Sequence, residues 1–554
     1  MQTPLTLSYQ LGLVGPVLTV MAAALAGLIA DWFLPKGSGG RYASWLGLLG
    51  VAAAGALTVR QWGQMAGTKA LSGGFGRVAD LGDGATQELF LLQGDRYAVY
   101  AGGIILLSAF ASLLLGLAYA ERRSAMDRME HPVILLLATA AMLLACMATD
   151  LVFLFLCIET FSIALYVLAG FRRDQRASQE AALKYFVLGA FAAGFLLYGI
   201  ALVYASTGTT NLSLIHTVLQ KQGLNGLPPL VSVGLGLILV GLGFKVALAP
   251  FHQWTPDVYD GAPLTVTAFM ATGTKVAAFA ALGRVLWSGF SLLAPMWAPV
   301  LAVLAVVTLF LGNLVALVQA DMKRMLAYSA VAQSGYLLIG LLAGGPAGRG
   351  AMLFYLLVYA LMTLGAFAAL VALGPAADAP DRDATRLADL RGLGSRSPAV
   401  AVALGICLVS LAGLPPTAGF LGKWTLFDAA LGAGRSGLAV ALILGSVISA
   451  FTYLRPLVLM VMGSAGEDAR LEEPSTANAV VLAVCALLVA GALLLAGPLA
   501  GASRQATMTA AQDEAPRPGG GGVGTPQTGG GIFMAAPPEL DERMRAKAAA
   551  SPTP

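Results

Sequence analysis

The feature that most constrains this chain is a succession of long apolar runs that carry almost no charge. About 20 consecutive apolar residues in a helix span the hydrocarbon core of a bilayer. By that measure fourteen candidate spans follow one another, near 13–34, 42–61, 97–120, 132–149, 151–171, 179–206, 229–259, 263–286, 295–317, 325–344, 350–374, 398–432, 437–461 and 476–500. In lipid every backbone N–H and C=O must find a partner inside the protein, so runs this continuous read as helices and strands are not needed anywhere. Only 11% of the 554 residues are charged, against about 25% in soluble domains. A water-soluble fold could not hide so much apolar surface. The expected fold class is therefore all-α, a polytopic membrane protein in a lipid bilayer. The first run has no basic residue before it and is too long for the core of a cleaved leader, so 13–34 is read as a retained span.

Two spans are interrupted. The seventh contains Pro250 within VALAPFHQW, and the twelfth contains Pro415 and Pro416 within LAGLPPTAGF. Proline removes an intrahelical hydrogen bond and frees carbonyls, which in lipid must be satisfied by protein or water. Broken helices at corresponding places in two halves are the mark of an inverted-repeat transporter. The alternative is a pair of ordinary proline kinks. On the first reading, residues 1–131 hold spans 1–3, 132–290 (spans 4–8) and 291–465 (spans 9–13) are two inverted five-helix repeats, and 466–501 hold span 14. Residues 502–554, with the stretch PRPGGGGVGTPQTGGG, read as a disordered Gly/Pro-rich tail. Loops after odd-numbered spans carry sixteen Lys and Arg against eight after even-numbered ones. The positive-inside rule then puts both termini outside the cytoplasm.

The placement of charge carries the chemistry. Of 24 arginines, none lies deep in these spans, whereas four of nine lysines fall within them: Lys184, Lys245, Lys275 and Lys423. Arginine stays charged in proteins, but a buried lysine can release its proton, so a membrane lysine is a switchable proton site. The deep acid is Glu159, in LFLCIETFSIALY. A carboxylate and an ammonium about 4 Å apart, at an effective dielectric near 20, attract by about 4 kcal/mol. Moving Glu159 relative to a lysine could thus change that amine's proton affinity up to about a thousandfold. Lys184 lies only a few residues into its span, where it either takes part or reaches out to the headgroups. His252, seven residues after Lys245, either relays protons or caps carbonyls freed by the break.

Other classes are excluded or disfavoured. A net charge of +4 is too small to suggest nucleic acid. Cys146, Cys157, Cys407 and Cys485 have no metal-ligand spacing. No Rossmann or Walker glycine motif appears, so any redox cofactor or nucleotide is expected on another subunit.

At these residues the chain resembles a known family, the antiporter-like membrane subunits of complex I, shared with multi-subunit cation/proton antiporters. The resemblance rests on GFKVALAPFHQWTPDVYDGAP at Gly243–Pro263, DMKRMLAYSAVAQSGY at 321–336 and LAGLPPTAGFLGKW at 411–424. EAALKYFVLGAFAAGFLLYGIALVYASTGT at 180–209 is similar to the N-type branch in particular. The resemblance implies a bacterial inner-membrane subunit that moves protons. Neighbouring antiporter-like and small membrane subunits would be its partners, and flavin, iron–sulfur clusters and quinone would sit on other subunits. It implies proton-translocating roles for Glu159, Lys184, Lys245, Lys275 and Lys423. Lysine at 423 argues against the M-type branch. Where many relatives have histidine in the span 10 motif, this chain has Gln333, which can order water but cannot titrate. A subunit of a cation/proton antiporter and a non-pumping membrane scaffold are the rival readings. Sodium would prefer more carboxylate and carbonyl oxygens than one deep acid and four amines supply.

Overall fold

The structure is a computed structural model. It describes residues 7–513 except 34–38, 66–70, 74–76, 81–85, 124–125, 224–225, 227, 377–378 and 464–474. Helices dominate, as the apolar runs require. In chain order they begin with α1 (Leu7–Ala30), α2 (Gly39–Gln64), α3 (Arg96–Arg122), α4 (Glu130–Met147), α5 (Leu151–Ala169), α6 (Arg176–Thr207) and α7 (Leu212–Gln222). Next come α8 (Pro229–Lys245), α9 (Trp254–Gly261), α10 (Leu264–Phe269), α11 (Lys275–Arg284), α12 (Ala294–Leu317), α13 (Met322–Ala343) and α14 (Gly345–Leu373). The last are α15 (Leu393–Arg396), α16 (Pro398–Ala412), α17 (Ala418–Gly432), α18 (Ser436–Met462), α19 (Thr476–Ala490) and α20 (Ala492–Asp513). Among the described residues, eleven helical stretches are long and apolar enough to cross a membrane, and Pro229–Lys245, Pro398–Ala412 and Thr476–Ala490 are shorter apolar helices.

The caps explain where several spans start. Asp95, Asp150 and Asp321 each accept hydrogen bonds from N–H groups of the next helix, α3, α5 and α13 respectively. A side-chain oxygen here satisfies donors that no preceding turn can. Helix α14 forms the centre, almost wholly buried among α3, α13, α16, α17, α19 and α20. By contrast, α6 presents Leu183, Phe191 and Tyr198 outward, Phe191 being 72% exposed. An apolar stripe of this kind faces lipid or a neighbouring membrane subunit. Helices α6 and α8 approach so closely that a Cβ on Gly199 would lie 2.6 Å from the Gly234 carbonyl. Small residues permit such backbone contact where apolar burial gives no drive between helices.

Four expectations are corrected. Short strands do occur, at Leu71–Gly73, Arg77–Asp80, Thr86–Leu89, Leu92–Gly94, Pro375–Ala376 and Ala379–Asp383, paired as antiparallel hairpins in the connections between spans. Outside lipid, backbone groups can pair across strands, so the rule that demanded helices no longer applies. Arg284 is buried within the helical stretch Leu264–Gly289, where its guanidinium meets Asp95 at 2.8 Å; an arginine paired this closely survives burial. The expected span 476–500 turns at Gly491 between α19 and α20. Finally, α20 continues to Asp513, past the expected start of the tail at 502, and 514–554 lie outside the described residues.

Candidate functional site

Helix α8 ends at Lys245, five residues before Pro250, so the amine stands at the lip of the break. Beyond it Ala247 has φ +58, a left-handed conformation that costs a residue with a Cβ about 1–2 kcal/mol. The Ala249–Pro250 peptide is cis, and helix resumes at Trp254. Carbonyls freed by the break are satisfied from other elements. Trp254 Nε1 donates to the Phe244 carbonyl at 3.0 Å, and Ser334 Oγ of α13 donates to the Val246 carbonyl at 2.5 Å. On the donor side, Ala249 N–H reaches Thr308 Oγ1 at 3.0 Å.

Lys245 is buried, and its Nζ donates to Ser162 Oγ at 2.6 Å. The rings of Tyr166, Tyr185 and Phe244 surround it at 5.7, 5.9 and 5.5 Å, and such π faces hold a cation in a dry site. Ser162 and Glu159 are three residues apart on α5 and therefore share a face. Glu159 is partly buried, its Oε1 has no hydrogen-bond partner among the described residues, and Lys245 is its charged neighbour. Two opposite charges thus stand near one another without being locked together.

Lys275 follows a π-helical turn, Met270–Thr274. Such a turn inserts one residue into the helical ladder and re-aims the side chains after it. Its Nζ donates to the Ala330 carbonyl at 2.5 Å and to Ser334 Oγ at 2.6 Å, beneath the Tyr359 ring at 5.6 Å. Ser334 therefore touches both Lys275 and the peptide next to Lys245.

Lys423 lies in α17, beyond the second break. The Pro415–Pro416 peptide is cis, and Gly413, with φ +83, closes α16. Lys423 Nζ reaches back to the Leu411 and Ala412 carbonyls at 3.2 and 2.9 Å and to Ser449 Oγ at 3.1 Å. Unpaired carbonyls at a helix C-terminus carry partial negative charge and suit an ammonium. The Tyr336 ring lies 4.7 Å away. Tyr336 packs on Tyr355 at 6.3 Å, and the Tyr355 hydroxyl donates to Gln333 Oε1 at 2.5 Å. Gln333 thus stands between Lys275 and Lys423, next to Ser334 along α13.

The structure brings together Glu159, Lys245, Lys275, Gln333 and Lys423, but not Lys184. That side chain is 41% exposed and is paired with Glu180 at 2.6 Å and Asp257 at 2.8 Å. His252 is half-buried in the turn between α8 and α9, and among the described residues makes no hydrogen bond to any of these amines. Sequence reasoning missed the hydroxyls. Ser162 was legible as three residues from Glu159 and Ser334 as the neighbour of Gln333, but Ser449 gave no sequence signal. It also missed the Asp95–Arg284 pair, for which the N-cap position of Asp95 was the one clue.

A family model described as NADH:quinone oxidoreductase/Mrp antiporter, TM, matches residues 148–449. NADH-quinone oxidoreductase subunit N of Trichlorobacter lovleyi is 41% identical over 452 residues, 82% of this chain and 87% of that protein. Its counterpart from Chloroflexus aggregans is 42% identical over 455 residues, 82% and 88% of the two chains. Among solved structures, a chain of respiratory complex I from Thermus thermophilus with bound aureothin superposes with a TM-score of 0.70 at 34% identity, covering 88% of this chain and 98% of that one. A chain of the Mrp complex from Dietzia sp. DQ12-45-1b shares the fold, with a TM-score of 0.74 at 22% identity over 90% and 99%.

Proposed function

Because the chain belongs to the NADH:quinone oxidoreductase/Mrp antiporter membrane family, we propose that it is the N-type, proton-translocating membrane subunit of a bacterial respiratory NADH–quinone oxidoreductase. It sits in the cytoplasmic membrane among other antiporter-like and small membrane subunits, as a polytopic helical protein with two inverted repeats and both termini outside. Redox cofactors belong to other subunits, and quinone reduction there supplies the energy.

The observation that carries this reading is the spacing of buried amines along hydroxyl groups: Lys245 on Ser162, Lys275 on Ser334, and Lys423 on Ser449. Ionisable groups held in a membrane are expensive and are retained for function. In the proposed cycle a proton reaches Lys245 from the cytoplasmic side, displacement of Glu159 relative to Lys245 changes that amine's affinity for it, and the proton passes through internal water to Lys275. The carbonyl that links Ser334 to the break cannot carry a proton, so this link acts by position: a shift at Val246 moves a ligand of Lys275. From Lys275 the proton continues through water ordered by Gln333 and the tyrosines to Lys423, and leaves on the outer side.

NADH-driven proton uptake by inverted membrane vesicles tests the assignment. Lys245→Ala and Lys423→Ala should each lower the proton-to-electron ratio or stall turnover. Wild-type ratios in both variants would defeat it.

A further inference from the structure

Lys323 is a buried amine that this relay leaves unused. It is the second residue of α13, 6% exposed, and its Nζ donates to the Asp260 and Ala262 carbonyls at 2.6 and 2.8 Å. These carbonyls end α9, the helix that resumes after the break beside Lys245. The charged groups facing it are Asp260 of α9, Asp321 at the start of its own helix, Asp383 of the hairpin before α15, and Arg172 of the turn after α5. Each carboxylate is already engaged elsewhere. Asp383 meets Arg123 at 3.2 Å and Arg172 at 3.8 Å, Asp260 meets Arg324 at 3.3 Å, and Asp321 accepts from the Thr385 hydroxyl at 2.6 Å. The hydrogen bonds of the Lys323 amine therefore go to neutral carbonyls at a helix C-terminus, as two of those of Lys423 do.

Lys323 also separates two polar regions. On one side is a cavity of about 1150 Å³ whose walls include Arg172, Asp260, Asp321 and Asp383 as well as Lys323. On the other, the Thr267 hydroxyl of α10 shares the Ala262 carbonyl at 3.5 Å and reaches the Tyr259 carbonyl at 3.1 Å. The buried hydroxyls of Thr265 and Thr274, along the same stretch toward Lys275, have no hydrogen-bond partner among the described residues. Buried polar groups are normally satisfied, and internal water is the usual partner where protein supplies none.

We propose that Lys323 is the amine through which protons enter the buried line, from the cavity on one side to the threonines of α10 and Lys275 on the other. The inference rests on the proton-conduction reading above. Neutral Nζ accepts a proton from hydronium in the cavity, leaving water. The ammonium then hands that proton to a water on the α10 side, which restores the amine and forms hydronium for Lys275 to take.

The test is NADH-driven proton uptake by the intact complex in inverted vesicles. Lys323→Arg keeps the charge and the donors that cap α9 but cannot release a proton. It should lower proton uptake by at least about tenfold in complexes that assemble normally, whereas Lys323→His should keep part of the uptake with its optimum at lower pH. Wild-type uptake in Lys323→Arg would overturn the proposal and make Lys323 a cap. Thr267→Val, which leaves Lys323 untouched, should slow uptake several-fold, and a wild-type rate there would equally overturn the route. Lys245→Ala separates the two readings. Lost uptake in it beside normal uptake in Lys323→Arg sinks only the inlet, and normal uptake in it sinks the conduction reading itself.

Discussion

Ser334 Oγ accepts a hydrogen bond from Lys275 Nζ at 2.6 Å. The same hydroxyl donates to the Val246 carbonyl at 2.5 Å, so a central amine of one helix is tied to the broken turn of another. Ser334→Ala should cut this tie. It leaves a buried carbonyl without its donor, which costs about 1–3 kcal/mol, and removes one of two hydrogen bonds from a buried ammonium. Proton uptake should fall while the complex still assembles, and Ser334→Thr should restore much of it. Vesicle uptake assays on both variants, with native-gel assembly as the control, check this.

Gly413 serves Lys423 in two ways. Its φ of +83 lets α16 end where its carbonyls face the amine. A Cβ there would also lie 2.7 Å from Lys423 Cδ and 3.0 Å from Nζ. Gly413→Ala should therefore displace the amine as well as strain the backbone by about 1–2 kcal/mol. Gly434, with φ +70 and open space where a methyl group would stand, supplies the comparison. Both variants should lose similar thermal stability, but only Gly413→Ala should lose proton uptake.

Gln333 is the acceptor for the Tyr355 hydroxyl at 2.5 Å. Gln333→Leu leaves that buried hydroxyl unsatisfied, at about 1–3 kcal/mol, and removes the polar group between Lys275 and Lys423. Uptake should drop and the melting temperature of the detergent-solubilised complex should fall. Gln333→His keeps an acceptor and should retain uptake, with a new dependence on pH in the range where imidazole titrates.

Lys184 offers the contrasting case. Its partner Glu180 is largely exposed and Asp257 only half-buried, and ion pairs open to solvent contribute little. Lys184→Ala should change proton uptake less than about twofold, measured beside Lys245→Ala in the same vesicles. A loss as large as that of Lys245→Ala would show that Lys184 belongs to the conducting line.

The sequence by itself determined that this chain lives in lipid and, in outline, where its helices run. A run of uncharged apolar residues long enough to cross a bilayer leaves no other fold, and a lysine inside such a run cannot be solvated by accident. Pro250 and the Pro415–Pro416 pair marked the two breaks, although α8 in fact stops at Lys245, before its proline, because Ala247 leaves the helical region first. Tertiary structure alone decided which amines share a path. Lys184 and Lys245 both fall within expected spans, yet Asp257 and Glu180 draw one to the surface while Ser162 and three aromatic rings enclose the other. Lys323 falls between the expected spans 295–317 and 325–344 and is nonetheless buried, since the end of α9 offers it carbonyls in place of water. The physical reason is the same throughout. Apolar length is a property of a segment and can be read from it, whereas the partners that make a buried charge tolerable come from helices far apart in sequence, so only the packed molecule reveals them.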